Sequence, residues 1–187
     1  SALVDPRRPL LWVQERMAIL ESGRVHPPGL PCPNLIHVEA RDARGAPRVA
    51  VGWRPYYNGY WHHSRYGSVV WVSHDPWAWG TYHYGRWYCD DDYGWAWVPG
   101  PANVRPVYAP AVVAFVGNGS PGAANSTVAW FPLGPRDVYR PAYTTSREYF
   151  YNVNASARVE RQQITAIYDN RNVNVTYVNQ QVPGAII

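Results

Sequence analysis

Trp53-Arg54-Pro55-Tyr56-Tyr57-Asn58-Gly59-Tyr60-Trp61, running on to Trp71-Val72, is answered 26 positions later by Trp79-Gly80-Thr81-Tyr82-His83-Tyr84-Gly85-Arg86-Trp87, running on to Trp97-Val98. Trp53 matches Trp79, Tyr56 matches Tyr82, Gly59 matches Gly85, Trp61 matches Trp87 and Trp71 matches Trp97. Self-similarity at a fixed period marks one supersecondary unit used twice, because a single copy this small cannot bury its own apolar face. Aromatic residues alternate with small ones in Trp77-Ala78-Trp79 and Trp95-Ala96-Trp97. That period of two sets side chains on one face of a strand. Asn58-Gly59, Tyr66-Gly67, Tyr84-Gly85 and Tyr93-Gly94 supply reversals, while Asp75-Pro76 and Pro99-Gly100-Pro101 break the chain between units. Each copy is therefore expected to fold as a short β-hairpin or three-stranded meander.

Working outward, the 187-residue chain divides by composition near residue 50. Residues 1–52 hold no Tyr, one Trp and seven Arg, and all 15 Tyr and nine of the ten Trp follow them. This suggests three parts: an N-terminal segment over 1–48, an aromatic repeat β domain over 49–135 and a C-terminal extension over 136–187. Asp5-Pro6 reads as an N-cap with Pro at the first helical position, and Glu21-Ser22-Gly23 as a stop. Leu10, Val13, Met17 and Leu20 share a face between them, so one short N-terminal helix is expected. Pro27-Pro28-Gly29-Leu30-Pro31-Cys32-Pro33 is loop, and residues 35–40 and 48–53 look like strands. After the repeat, residues 107–116 form an apolar run broken by Pro110, and residues 128–133 read as a buried strand. Residues 139–151 are ambiguous between helix and strand. Asn172-Val173-Asn174-Val175-Thr176-Tyr177-Val178-Asn179 alternates polar with β-branched or aromatic residues, the pattern of an extended strand arm with one dry face. Such an arm either pairs within its own chain or adds to a neighbour's sheet, giving a homo-oligomer. The expected fold is mostly β, built of antiparallel hairpins.

Composition narrows the function classes. Aromatic residues make up 15% of the chain and charged residues 16%, with 18 Pro and 15 Gly, which favours short strands and turns over long helices. All 17 basic residues are Arg, and the net charge of +4 is scattered rather than gathered in a stripe. That distribution speaks against a nucleic-acid groove. No apolar stretch reaches the length needed to span a bilayer. Cys32 and Cys89 admit one disulfide or two separate thiols.

Standard catalytic signatures such as a nucleophile elbow, phosphate loop or His-Glu-x-x-His helix are absent from the sequence. Four His (His62, His63, His74, His83) fall in the repeat with Asp75 and Asp90-Asp91-Asp92 nearby. His74, His83 and Asp75 are the set from which a zinc or copper site would be drawn. His62 and His63 point to opposite faces of a strand, so at most one of them joins it. The Asp triplet lacks the alternation of a calcium loop and reads as a solvated turn. Glycoside hydrolysis would need two facing carboxylates, and nothing in the sequence selects a pair from Asp75, Asp92, Asp137 and Glu148. The aromatic side chains allow more to be said. A small β domain cannot fully bury this many Trp and Tyr, each large and carrying a polar atom that wants water or a partner. Trp61, Trp71, Trp77, Tyr84 and Trp87, with Arg86 to hydrogen-bond a hydroxyl or anion, are the candidate contact residues. The alternative is that these rings only form an aromatic core between hairpins.

The stretches Trp53 to Trp61, Trp71-Val72-Ser73-His74-Asp75-Pro76-Trp77, Tyr82-His83-Tyr84-Gly85-Arg86-Trp87 and Gly94-Trp95-Ala96-Trp97-Val98-Pro99-Gly100 resemble a bacterial family of Trp- and Tyr-rich domains of unknown function. The likeness continues through residues 105–117, 130–135 and 177–185, so it covers roughly 49–187, whereas residues 1–48 depart from the family's Tyr-, Gly- and Pro-rich pattern. The resemblance implies an exported protein in a periplasmic or extracellular setting. It implies no activity. The leading expectation is a non-catalytic binding module for a polysaccharide, cell-wall fragment or protein partner, without a cofactor. The alternatives are a hydrolase lacking a recognised motif, with or without metal, and a self-assembling structural protein.

Overall fold

A computed structural model describes residues 36–37, 52–65, 67–75, 79–90, 94–101, 103–121, 123–143, 145–170 and 174–187. Among the described residues, seven short strands form three antiparallel groups. β1 (Ile36–His37), β5 (Gly94–Val98) and β4 (Arg86–Asp90) make a three-stranded sheet in that order; β2 (Gly59–His63) pairs with β3 (Val69–Ser73), and β6 (Val113–Asn118) with β7 (Thr127–Pro132). Helices α1 (Trp79–His83), α2 (Arg147–Asn154) and α3 (Arg161–Asp169), with single 3-10 turns at Ala155–Ala157 and Val178–Gln181, supply regular structure of comparable extent. Hairpins therefore dominate the first half and helices the C-terminal part. The expected N-terminal helix, the Pro-rich loop, Cys32 and Asp91-Asp92 lie outside the described residues.

The two aromatic hairpins have like registers, with Trp61 opposite Trp71 in one and Trp87 opposite Trp97 in the other. A glycine opens each. A Cβ on Gly59 would strike the Val72 carbonyl and the Trp71 indole, and one on Gly85 would strike the Val98 carbonyl and the Trp97 indole. Bare glycine lets each indole lie flat over the strand entrance. Tyr56, Trp71, Tyr82, Trp87 and Trp97 then gather into one core with Ala111 and Val113. Their rings meet mostly edge to face, as Tyr56 does Tyr82 at 4.5 Å, the arrangement their quadrupoles favour. Tyr56 fastens the hairpins to the following chain. Its hydroxyl donates to the Tyr82 carbonyl at 2.6 Å and accepts from the Val112 amide at 2.9 Å.

Two expectations are corrected and one ambiguity is resolved. Trp79 begins a helical turn rather than continuing a strand, because that turn carries Tyr82 into the core and aims the Thr81 carbonyl at Trp87 Nε1 (3.0 Å). Gly85, at φ +68°, then redirects the chain into β4. The ambiguous stretch becomes loop followed by α2, started by Ser146 Oγ accepting from the Tyr149 amide, and α3 follows on Ile164 and Ile167. The described part of the tail is not a strand either. Burial keeps the expected parity, with Asn174, Thr176 and Val178 exposed and Val175 and Tyr177 half-buried, but the most buried position on the dry side is Asn179, within a 3-10 turn. Asn179 Nδ2 donates to the carbonyls of Trp87 (2.8 Å) and Pro132 (2.9 Å), so an amide meets main-chain acceptors where a valine would leave them unpaired. Farther on, Ile187 exchanges two backbone hydrogen bonds with Trp130, which docks the tail on its own chain.

A candidate aromatic groove

β2 and β3 face the β6–β7 hairpin across an open groove of about 700 Å³. Tyr57 and Tyr60 stand at its rim, 58% and 51% exposed, while Trp61 and Trp130 form the walls and Trp71, 2% exposed, the floor. Trp61 organises these walls. Its ring meets Trp71 at 5.1 Å, Phe115 at 5.2 Å and Trp130 at 5.3 Å, the last nearly perpendicular. Trp130 is held by Nε1 donating to the Tyr56 carbonyl at 3.0 Å. His63 Nε2 lies 2.7 Å from the Pro121 carbonyl and ties the far bank to β2. Arg54 sits over the Tyr57 ring at 4.5 Å while donating to the Gly184 carbonyl, so that ring is stiffened from behind.

The indoles of the two hairpins differ in one respect. Trp87 Nε1 and Trp97 Nε1 donate to the Thr81 and Tyr84 carbonyls, both at 3.0 Å. Trp61 Nε1 and Trp71 Nε1, beneath the groove, are buried without a partner. A buried orphan N–H costs about 1–3 kcal/mol, so the groove side of the core holds unmatched indole donors, whereas Trp87 and Trp97 of the other hairpin have acceptors.

The candidate contact residues therefore separate. Trp61 lines the groove with Trp71 under it, and Trp77 lies outside the described residues. Tyr84 is half-buried on the other side of the fold, among Trp79 and Tyr108. Trp87 and Arg86 are core residues at 0% and 2% exposure, so neither reaches the groove. Tyr57, Tyr60 and Trp130 are groove residues that the pattern did not select. Tyr57 and Tyr60 do flank Gly59, which was the available signal.

The candidate metal ligands are similarly dispersed. His74 is exposed beside the Tyr60 ring at 5.8 Å. Asp75 accepts from Asn58 Nδ2 at 3.0 Å and the Tyr82 hydroxyl at 3.2 Å. His83 is buried, with Nδ1 donating to the Ala109 carbonyl at 2.8 Å, and desolvation holds its pKa below the usual value. Among the described residues, no three His, Cys, Asp or Glu side chains gather where they would hold a metal ion. No helix among these residues is long and apolar enough to cross a membrane.

A sequence profile described as a family of unknown function, DUF6600, matches residues 41–137, and the chain belongs to that family. No curated protein and no solved structure matches it.

Proposed function

With membership of a family of unknown function as the premise, we propose that this protein is a non-catalytic binding module whose aromatic groove takes a saccharide chain, in a periplasmic or extracellular setting. The observation that carries this reading is the pair of half-exposed tyrosines, Tyr57 and Tyr60, at the rim of an open groove walled by Trp61 and Trp130. Rings with few rotatable bonds on paired strands offer contact area at little entropic cost, and the C–H faces of a pyranose stack on them. The first hairpin supplies polar atoms beside the rings through Asn58 and His74. We further propose that the two aromatic hairpins are copies of one unit, a reading supported by their shared Trp–Trp register and by the glycine that admits an indole in each.

Titration with neutral oligosaccharides and cell-wall fragments, followed by tryptophan fluorescence and calorimetry, tests the binding reading. Saturable binding is expected, weakened at least tenfold in Tyr57→Ala and Tyr60→Ala. Silence from every such ligand in both readouts would reject it.

A further inference from the structure

On the opposite side of the aromatic core lies a second hollow, of about 220 Å³, which the groove does not explain. Arg86 lines it and is 2% exposed. The guanidinium makes three hydrogen bonds, all to neutral oxygens: Nε to the Asp137 carbonyl (3.2 Å), Nη1 to the Gly85 carbonyl (2.8 Å) and Nη2 to Asn154 Oδ1 (3.1 Å). One N–H on each terminal nitrogen is left uncommitted. The Asp137 carboxylate does not take them. Its oxygens receive the amides of Gly134 (2.7 Å) and Val178 (3.1 Å) instead. Desolvation lowers the Arg86 pKa to about 10, still well above neutrality, so the group is a buried cation. Asp137 acts on this cation only through space, and buried guanidinium N–H groups that meet no acceptor are costly unless a further anion can reach them.

The rest of the cavity selects among anions. Val104, Val107, Val112 and Val153 give it an apolar wall, and His83, which burial keeps neutral, adds no second positive charge. One cation suits a monoanion rather than a dianion, and paired N–H groups on a planar fork match the two oxygens of a carboxylate. We propose that this cavity binds a short aliphatic monocarboxylate, its oxygens on Arg86 Nη1 and Nη2 and its chain against the valines. The place is also suggestive in the fold. Under the repeat proposed above, Tyr57, Gly59, Tyr60 and Trp71 of the groove correspond to His83, Gly85, Arg86 and Trp97 of the cavity. One unit would then carry two sites, the first aromatic and the second cationic.

The test uses the intact protein with acetate, propionate and butyrate, and with chloride and sulfate at matched ionic strength. Carboxylates are expected to raise Tm saturably, with affinity increasing about fourfold per added methylene until the cavity is full. Val104→Trp, at a half-buried wall position, should abolish that response, whereas Trp61→Ala in the groove should leave it intact. In the unsubstituted protein, butyrate should shift the side-chain N–H resonances of Arg86, a readout that does not depend on any variant folding. No saturable response, an equal response to chloride and sulfate, or unshifted Arg86 resonances would overturn the proposal.

Discussion

Gly85 shows how much one missing methyl can matter. It sits at φ +68°, and a Cβ there would come within 2.6 Å of Trp97 Nε1 as well as striking the Val98 carbonyl. Strain and steric overlap add, so Gly85→Ala should destabilise by roughly 2–5 kcal/mol. Gly59→Ala meets the corresponding overlap without a positive φ and should lose less, a ranking that urea unfolding of the two variants checks. Asp137 is a buried acid whose ionisation bears on stability in the mildly acidic range. Desolvation raises its pKa from 3.8 to about 6, against the opposing hydrogen bonds from the Gly134 and Val178 amides and the field of Arg86. An acid with a raised folded-state pKa binds more protons folded than unfolded between these values. Its contribution is therefore fully present below about pH 4 and lost as pH rises through about 6. At about 1.4 kcal/mol per pH unit the loss approaches roughly 3 kcal/mol. Comparing unfolding free energies of wild type and Asp137→Asn between pH 4 and 7 should show this decline in the wild type alone; parallel profiles would contradict it.

Elements here are short, and each borrows its stability from neighbours. The hairpin strands were legible because aromatic alternation and Gly-bearing turns specify period and reversal together, as Trp95-Ala96-Trp97 does in β5. Helix α1 was not legible, since a single turn leaves too few residues for a 3.6-residue period and is decided by where the Tyr82 ring and the Thr81 carbonyl must point. Helix α3 escaped notice for a related reason: it has no side-chain cap, and only Ile164 and Ile167 are buried in it. The 3-10 turn at Val178–Gln181 depends on Asn179, whose amide joins β4 to the end of β7. Replacing it with leucine keeps the volume but strands two carbonyls. Asn179→Leu should lower stability by about 2–4 kcal/mol and detach the C-terminal arm, seen as faster amide exchange after residue 177.

Across the whole molecule, the aromatic side chains divide between cohesion and contact. Trp71→Ala removes a ring that floors the groove and fills the core, and should cost about 3–5 kcal/mol. Tyr57→Ala and Tyr60→Ala, at rim positions, should stay within about 0.5–1 kcal/mol of wild type while losing saccharide affinity. Thermal unfolding and calorimetry on the same three variants separate the two roles. Sequence alone determined the hairpins and their turns, because alternation and glycine placement are local, and it determined that some aromatic surface must remain open, because the rings exceed what a small domain can enclose. Only the tertiary structure decided which rings those are. Trp61 and Trp71 share a pattern with Trp87 and Trp97, yet the first pair borders the open groove, whereas Trp87 is sealed in the core and Trp97 only backs the smaller hollow. What lies against an indole is set by segments distant in the chain, Trp130 of the β6–β7 hairpin beside Trp61 and Trp71 and the Trp53 ring against Trp87, and no local pattern records those partners.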